Sequence, residues 1–115
     1  MNKYLIAALM VLGATSQVDA QVAAIESEDP IAYGATLDDG YVENELDKGE
    51  QISAMQLIFD EFDDLQVDDV DGDFYWYRGA PVYSAERIIT GVTDGQRVVV
   101  QSNDQHLQYF VSQDG

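Results

Sequence analysis

The chain has 115 residues, 22 acidic against 5 basic, for a formal charge of −17, and no cysteine. That length holds one small domain, which excludes two-domain catalysis. The charge repels phosphate backbones and anionic lipid headgroups, and five scattered basic residues make no patch to reverse it, so direct nucleic-acid binding is excluded; so are disulfides, thiol nucleophiles and Cys-based zinc sites.

The first twenty residues read as an export signal. Lys3 supplies a short positive region, Tyr4 to Gly13 is an unbroken apolar run, and Val18-Asp19-Ala20 places small or short side chains at −3 and −1 of a cut before Gln21. The apolar run rises only about 15 Å as a helix, against roughly 20 residues for a membrane span. The expectation is a signal peptide over residues 1–20, cleaved after Ala20, a secreted or periplasmic protein, and no stable membrane insertion after cleavage.

The remaining charge is uneven. Residues 21–73 carry 17 acids against Lys48 alone, for −16, whereas residues 74–115 carry four acids against Arg78, Arg87 and Arg97, for −1. Over residues 21–47, with Pro30, Gly34 and Gly40, the apolar positions follow neither a helical nor an alternating period. Such a stretch reads as an acidic lead, disordered or extended, from which Tyr33, Leu37, Tyr41 and Val42 could dock on the folded part.

From Asp47 the pattern changes. Asp47 and Glu50 have the spacing of a capping box, and the run from Gln51 to Leu65 places Ile52, Met55, Phe59 and Phe62 on one stripe with acids between. This predicts an amphipathic helix, with Asp60, Glu61, Asp63 and Asp64 toward the end where the helix dipole disfavours negative charge. Asp71-Gly72 then reads as a tight hairpin turn that puts Leu65, Val67, Phe74 and Trp76 on one face. Asp94-Gly95 reads as a second, setting Ile89 opposite Val100, and Asn103-Asp104 returns the chain along residues 105–112. The expected fold class is α+β: one amphipathic helix on a four- to five-stranded antiparallel meander over residues 48–115.

Asp69, Asp71 and Asp73 alternate around Gly72, the pattern of hard oxygens and a sharp turn that suits calcium. EF-hand spacing fails, because positions one and twelve fall on Val67 and Arg78. The motif is thus a hairpin turn first and a metal site second, with weak Ca2+ binding as the only cofactor expectation. Phe74 to Tyr77 is the densest aromatic run; alternation sends Phe74 and Trp76 to the core and leaves Tyr75 and Tyr77, with Arg78, as a partner-binding face. His106 is the single histidine and reads as a surface residue without an orienting partner.

Nothing in the sequence assembles a catalytic constellation. The expected function is a small exported, non-enzymatic binding protein whose acidic half attracts cations or a basic protein surface. The alternatives are a matrix protein that concentrates divalent cations such as calcium, and a small exported hydrolase.

Overall fold

A computed structural model of the protein describes residues 3–37, 42–43 and 46–110. The order is α1 (Lys3–Glu26), α2 (Pro30–Ala35), the short strands β1 (Val42–Glu43) and β2 (Leu46–Asp47), α3 (Lys48–Glu61), then three long strands, β3 (Asp63–Tyr77), β4 (Ala80–Thr93) and β5 (Gln96–Tyr109). The long strands form one antiparallel sheet in the order β3-β4-β5, and β1 pairs only with β2. The class is α+β, with a three-stranded sheet where the turn signals predict four or five strands.

Two turn signals act differently from their usual chemistry. Asp94-Gly95 is a tight turn, with Thr93 opposite Gln96 and both turn residues in the left-handed region (φ 51° and 76°). At Asp71-Gly72, however, β3 continues straight through. Val70 pairs with Glu86 and Asp73 with Ser84, so Asp71 and Gly72 stand opposite Ala85 alone, a β-bulge that absorbs the left-handed φ of Asp71 (55°). The hairpin turn falls instead at Arg78-Gly79 (φ 53° and 79°), joining Tyr77 to Ala80. Asn103-Asp104 likewise lies inside β5, at a register shift between Ala85 and Arg87 on the partner strand, and no fourth long strand follows among the described residues. Ile89 faces Gln101 rather than Val100, because a second shift lies between Ile89 and Thr90.

The bulge has a reason in packing. A Cβ on Gly72 would lie 2.5 Å from the Tyr83 hydroxyl oxygen, so only glycine lets β3 pass the Tyr83 ring there. The one extra residue also shifts which residues face the helices: Leu65, Val67 and Asp69 before the bulge share a side with Phe74 and Trp76 after it. The predicted face is therefore correct although its turn is not.

Where composition suggests an extended acidic lead, residues 21–26 and 30–35 are helical. Asp29 caps α2, its Oδ1 accepting from the backbone N–H groups of Ile31 (3.1 Å) and Ala32 (3.0 Å), with Pro30 in the first turn. The end of one helix, a break at residues 27–29 and a separate six-residue helix share no single period, so the apolar pattern is irregular. Ile25, Tyr33 and Leu37 enter the core with Ala24, Met55, Leu65 and Ile89. Val42 pairs in the short β1-β2 ladder, and Tyr41 lies outside the described residues.

α3 begins as the sequence indicates. Asp47 Oδ1 accepts from Glu50 N–H at 2.9 Å, and Glu50 Oε1 accepts from Asp47 N–H at 3.3 Å. It stops at Glu61, where Phe62 turns extended and Asp63 opens β3, so the last two acids of the run belong to the strand. Trp76 also departs from expectation: it shares a side with Phe74 but is half exposed, whereas Phe74 packs on Tyr83 and Phe110.

Candidate functional site

The inner side of the sheet, under α1, holds a polar cluster centred on Arg87. β3 and β4 pair Asp69 directly opposite Arg87, and the arginine is almost fully buried. Its Nε donates to Asp69 Oδ1 (2.8 Å) and its Nη2 to Asp69 Oδ2 (2.9 Å), a bidentate pair. Nη1 donates to Gln21 Oε1 of α1 (2.5 Å), and Nη2 also reaches Gln108 Oε1 of β5 (3.2 Å). Tyr83 O–H donates to Asp69 Oδ2 at 2.8 Å, and His106 Nε2 lies 2.8 Å from Gln108 Oε1. One helix and all three long strands thus meet on a single guanidinium. No buried side-chain polar atom is left unpaired among the described residues.

This geometry sets the charge states. Burial alone would raise the Asp69 carboxyl, but the hydrogen bonds and charge of Arg87, with the Tyr83 hydroxyl and the His106 ring adding, hold it below the ordinary 3.8. The Tyr83 phenol is pushed up to about 12, by burial first and then by its bond to Asp69 and that carboxylate's charge. Two limbs of pH dependence follow. The depressed Asp69 value contributes stability that is complete above about 3.8 and is lost as pH falls through the folded value. The raised Tyr83 value contributes stability that is complete below pH 10 and is lost as pH rises from 10 to about 12. Thermal unfolding across pH should show Tyr83→Phe losing the alkaline limb while keeping the acid one.

Beside the cluster a cleft of about 320 Å³ opens between α1 and β3. Its polar lining is Asp19, Glu26, Asp69 and Tyr83; its apolar lining is Val18, Val22, Ala23 and Val67. No basic side chain is among these eight residues. Arg87 balances Asp69 from behind, which leaves Asp19 and Glu26 as the net charge of the rim. Glu26 Oε2 also accepts from Val67 N–H at 3.1 Å, tying the helix to the outer edge of β3.

The aspartates proposed as a metal site are not gathered. Asp69 is committed to Arg87 and Tyr83, Asp71 stands exposed at the bulge, and Asp73 accepts from the N–H of Phe74 (2.8 Å). Among the described residues no group of three or more acidic, His or Cys side chains could hold a metal ion. The aromatic face is gathered. Tyr75 and Tyr77 are exposed on the outer side of the sheet, with the Arg78 guanidinium 5.2 Å above the Tyr77 ring. Tyr109 joins them, edge-on to Tyr77 at 6.3 Å between ring centres. Tyr75 and Tyr109 pair with the same residue, Val82, from its two sides, and Val82 is buried.

Sequence reading misses the Arg87 cluster and misplaces His106, which is buried beside Ala85 with its ring edge-on to Tyr83 (6.3 Å). A signal for Arg87 was present: an arginine that alternation places on the same side of its strand as Ala85 and Ile89 requires a buried acid partner. Arg97 is absorbed elsewhere, donating to the Asp64 backbone oxygen (3.1 Å) and Thr90 Oγ1 (3.0 Å) and pairing with the Asp64 carboxylate.

No protein-family model matches the chain, and no curated protein matches it. A solved structure, titled "Structure of Bdellovibrio bacteriovorus Bd1075", is similar in fold, with a TM-score of 0.53 at 11% sequence identity. The match covers 89% of this chain and 41% of that one, so the chain spans less than half of its structural neighbour. At that identity the likeness concerns the fold alone. Among the described residues no helix is long and apolar enough to cross a membrane.

Proposed function

We propose that the chain is a small exported protein that binds a positively charged ligand and performs no chemistry on it. The observation that carries this reading is the cleft between α1 and β3, whose rim holds Asp19 and Glu26 over apolar walls with no basic side chain in the lining. Its volume lies at the small end of ligand pockets, which run from about 300 to 1,000 Å³. The strongly negative chain favours approach of a cation. Asp69, the innermost carboxylate, is held ionised by Arg87 and so supplies no proton, and the ligand's charge is met by Asp19 and Glu26.

The reading predicts a selective response in two-dimensional NMR of the 15N-labelled protein. Phenethylammonium should shift the amide signals of Val22, Ala23 and Val67 in a saturable way, and phenylacetate, similar in size but of opposite charge, should not. Glu26→Gln and Asp19→Asn together should weaken the ammonium response at least about tenfold, the effect of losing roughly 1.4 kcal/mol of attraction. Equal shifts with both probes, or shifts confined to acids outside the cleft, would overturn it.

The exposed Tyr75, Tyr77 and Tyr109 rings support a second contact surface, with Arg78 stacked at its edge. Exposed aromatic side chains of this kind are common anchors of protein partners.

A further inference from the structure

The inner face of α1 does not respect the bond after Ala20. Ala14, Val18, Gln21 and Ile25 are all buried, at steps of four, three and four, which is one helical stripe. Val18 packs with Tyr83 and Ala85, Asp19 lines the cleft, and Gln21 binds both Arg87 and, through Nε2, Thr36 Oγ1 (3.2 Å). The stripe therefore crosses the Ala20–Gln21 bond without interruption.

We propose that the export leader is removed after Ser16, so that the helix from Gln17 onward belongs to the finished protein; this rests on the export reading above. A cut after Ala20 strips Val18 and Asp19 from the sheet and leaves six helical residues, Gln21–Glu26, far fewer than the roughly 12 to 15 at which a helix holds by itself. It also creates an ammonium group on Gln21, the residue whose side chain receives Arg87, at the positive end of the shortened helix.

A cut after Ser16 avoids the first and last of these and lessens the second. Ala14 and Ser16 stand at −3 and −1, both small enough for the same peptidase rule. Thr15, Ser16 and Gln17 are exposed, and of the four stripe residues named above Ala14 alone is lost. Ten helical residues remain, Gln17–Glu26, and Asp19 falls in their first turn, where a negative charge suits the helix dipole. Val18, Asp19 and Gln21 all stay in place.

The test is expression of the full chain in an exporting bacterial host, followed by intact mass and N-terminal sequencing of the exported fraction. The expected N-terminus is Gln17; one at Gln21 overturns the proposal. Ser16→Leu blocks the −1 position of the proposed cut and should abolish the Gln17 terminus, by arrest or by a shift to the Ala20 site, whereas Ala20→Leu should be processed like the parent. Unchanged processing of Ser16→Leu together with arrest of Ala20→Leu overturns it independently. A parent chain that stays unprocessed in the cytoplasm removes the export reading itself, a result distinct from a cut at Gln21.

Discussion

Arg87→Leu should destabilise the protein by about 3 to 5 kcal/mol in urea or thermal unfolding, the range for breaking one side of a buried ion pair. The substitution leaves Asp69 facing Tyr83 with no compensating charge, and it also orphans the side-chain oxygen of Gln21, while Gln108 Oε1 keeps its contact with His106. Small domains hold only about 5 to 15 kcal/mol in total, so the variant should sit near its unfolding threshold at room temperature. Replacing both partners, Arg87→Leu with Asp69→Leu, should recover most of the loss, because a well-packed apolar pair removes the stranded charge. A double variant as unstable as the single one would show that the helix and β5 contacts of the guanidinium, not its pairing with Asp69, carry the effect.

Gly91→Val should cost more than its chemistry suggests. Gly91 lies on the inner side of β4, and a Cβ there would come within 2.8 Å of both Phe62 Cβ and Leu65 Cδ2. Leu65 can change rotamer, but Phe62 Cβ is fixed to the backbone at the point where α3 becomes β3. Relief therefore requires the helix to move away from the sheet. Overpacking of this kind costs about 1 to 3 kcal/mol for an added methylene or two, and valine adds three carbons, so the upper end of that range is expected. Gly91→Ala should fall lower, and equilibrium unfolding of the two variants orders them. Equal stability of Gly91→Val and the parent would place the α3–β3 junction farther from β4 than described.

The legibility of this fold varied with the range of the interactions. The Asp47–Glu50 cap and the Asp94-Gly95 turn were readable because both are complete within four residues, each with its own hydrogen-bond or φ requirement. Asp71-Gly72 has the same dipeptide chemistry as Asp94-Gly95 and a different fate, decided by the Tyr83 ring across the sheet, which no local pattern reveals. The Arg78-Gly79 turn escaped for the opposite reason: arginine is an unusual occupant of the left-handed region and gave no turn signal. Val18 and Gln21 were hidden by a competing message, since the same residues spell a peptidase site and a buried helix face. Simple alternation indicates that Tyr75 and Tyr77 share one side of β3, whereas Arg78 comes to lie over the Tyr77 ring at the turn. Arg87, Gln21 and Gln108 come from three distant segments, and only the folded chain brings them together.

The bulge at Asp71-Gly72 makes the identity of the two sheet faces depend on chain length. Removing one residue there would restore regular pairing and rotate everything after it by half a period. Tyr75 and Tyr77 would then turn toward α1, and Phe74 and Trp76 toward solvent, with no substitution at any of the four. For any relative of this chain, the count of residues between Asp69 and the Tyr75–Tyr77 pair is therefore more informative than their identities: an odd change in that count exchanges which pair of aromatics lies on the inner side of the sheet.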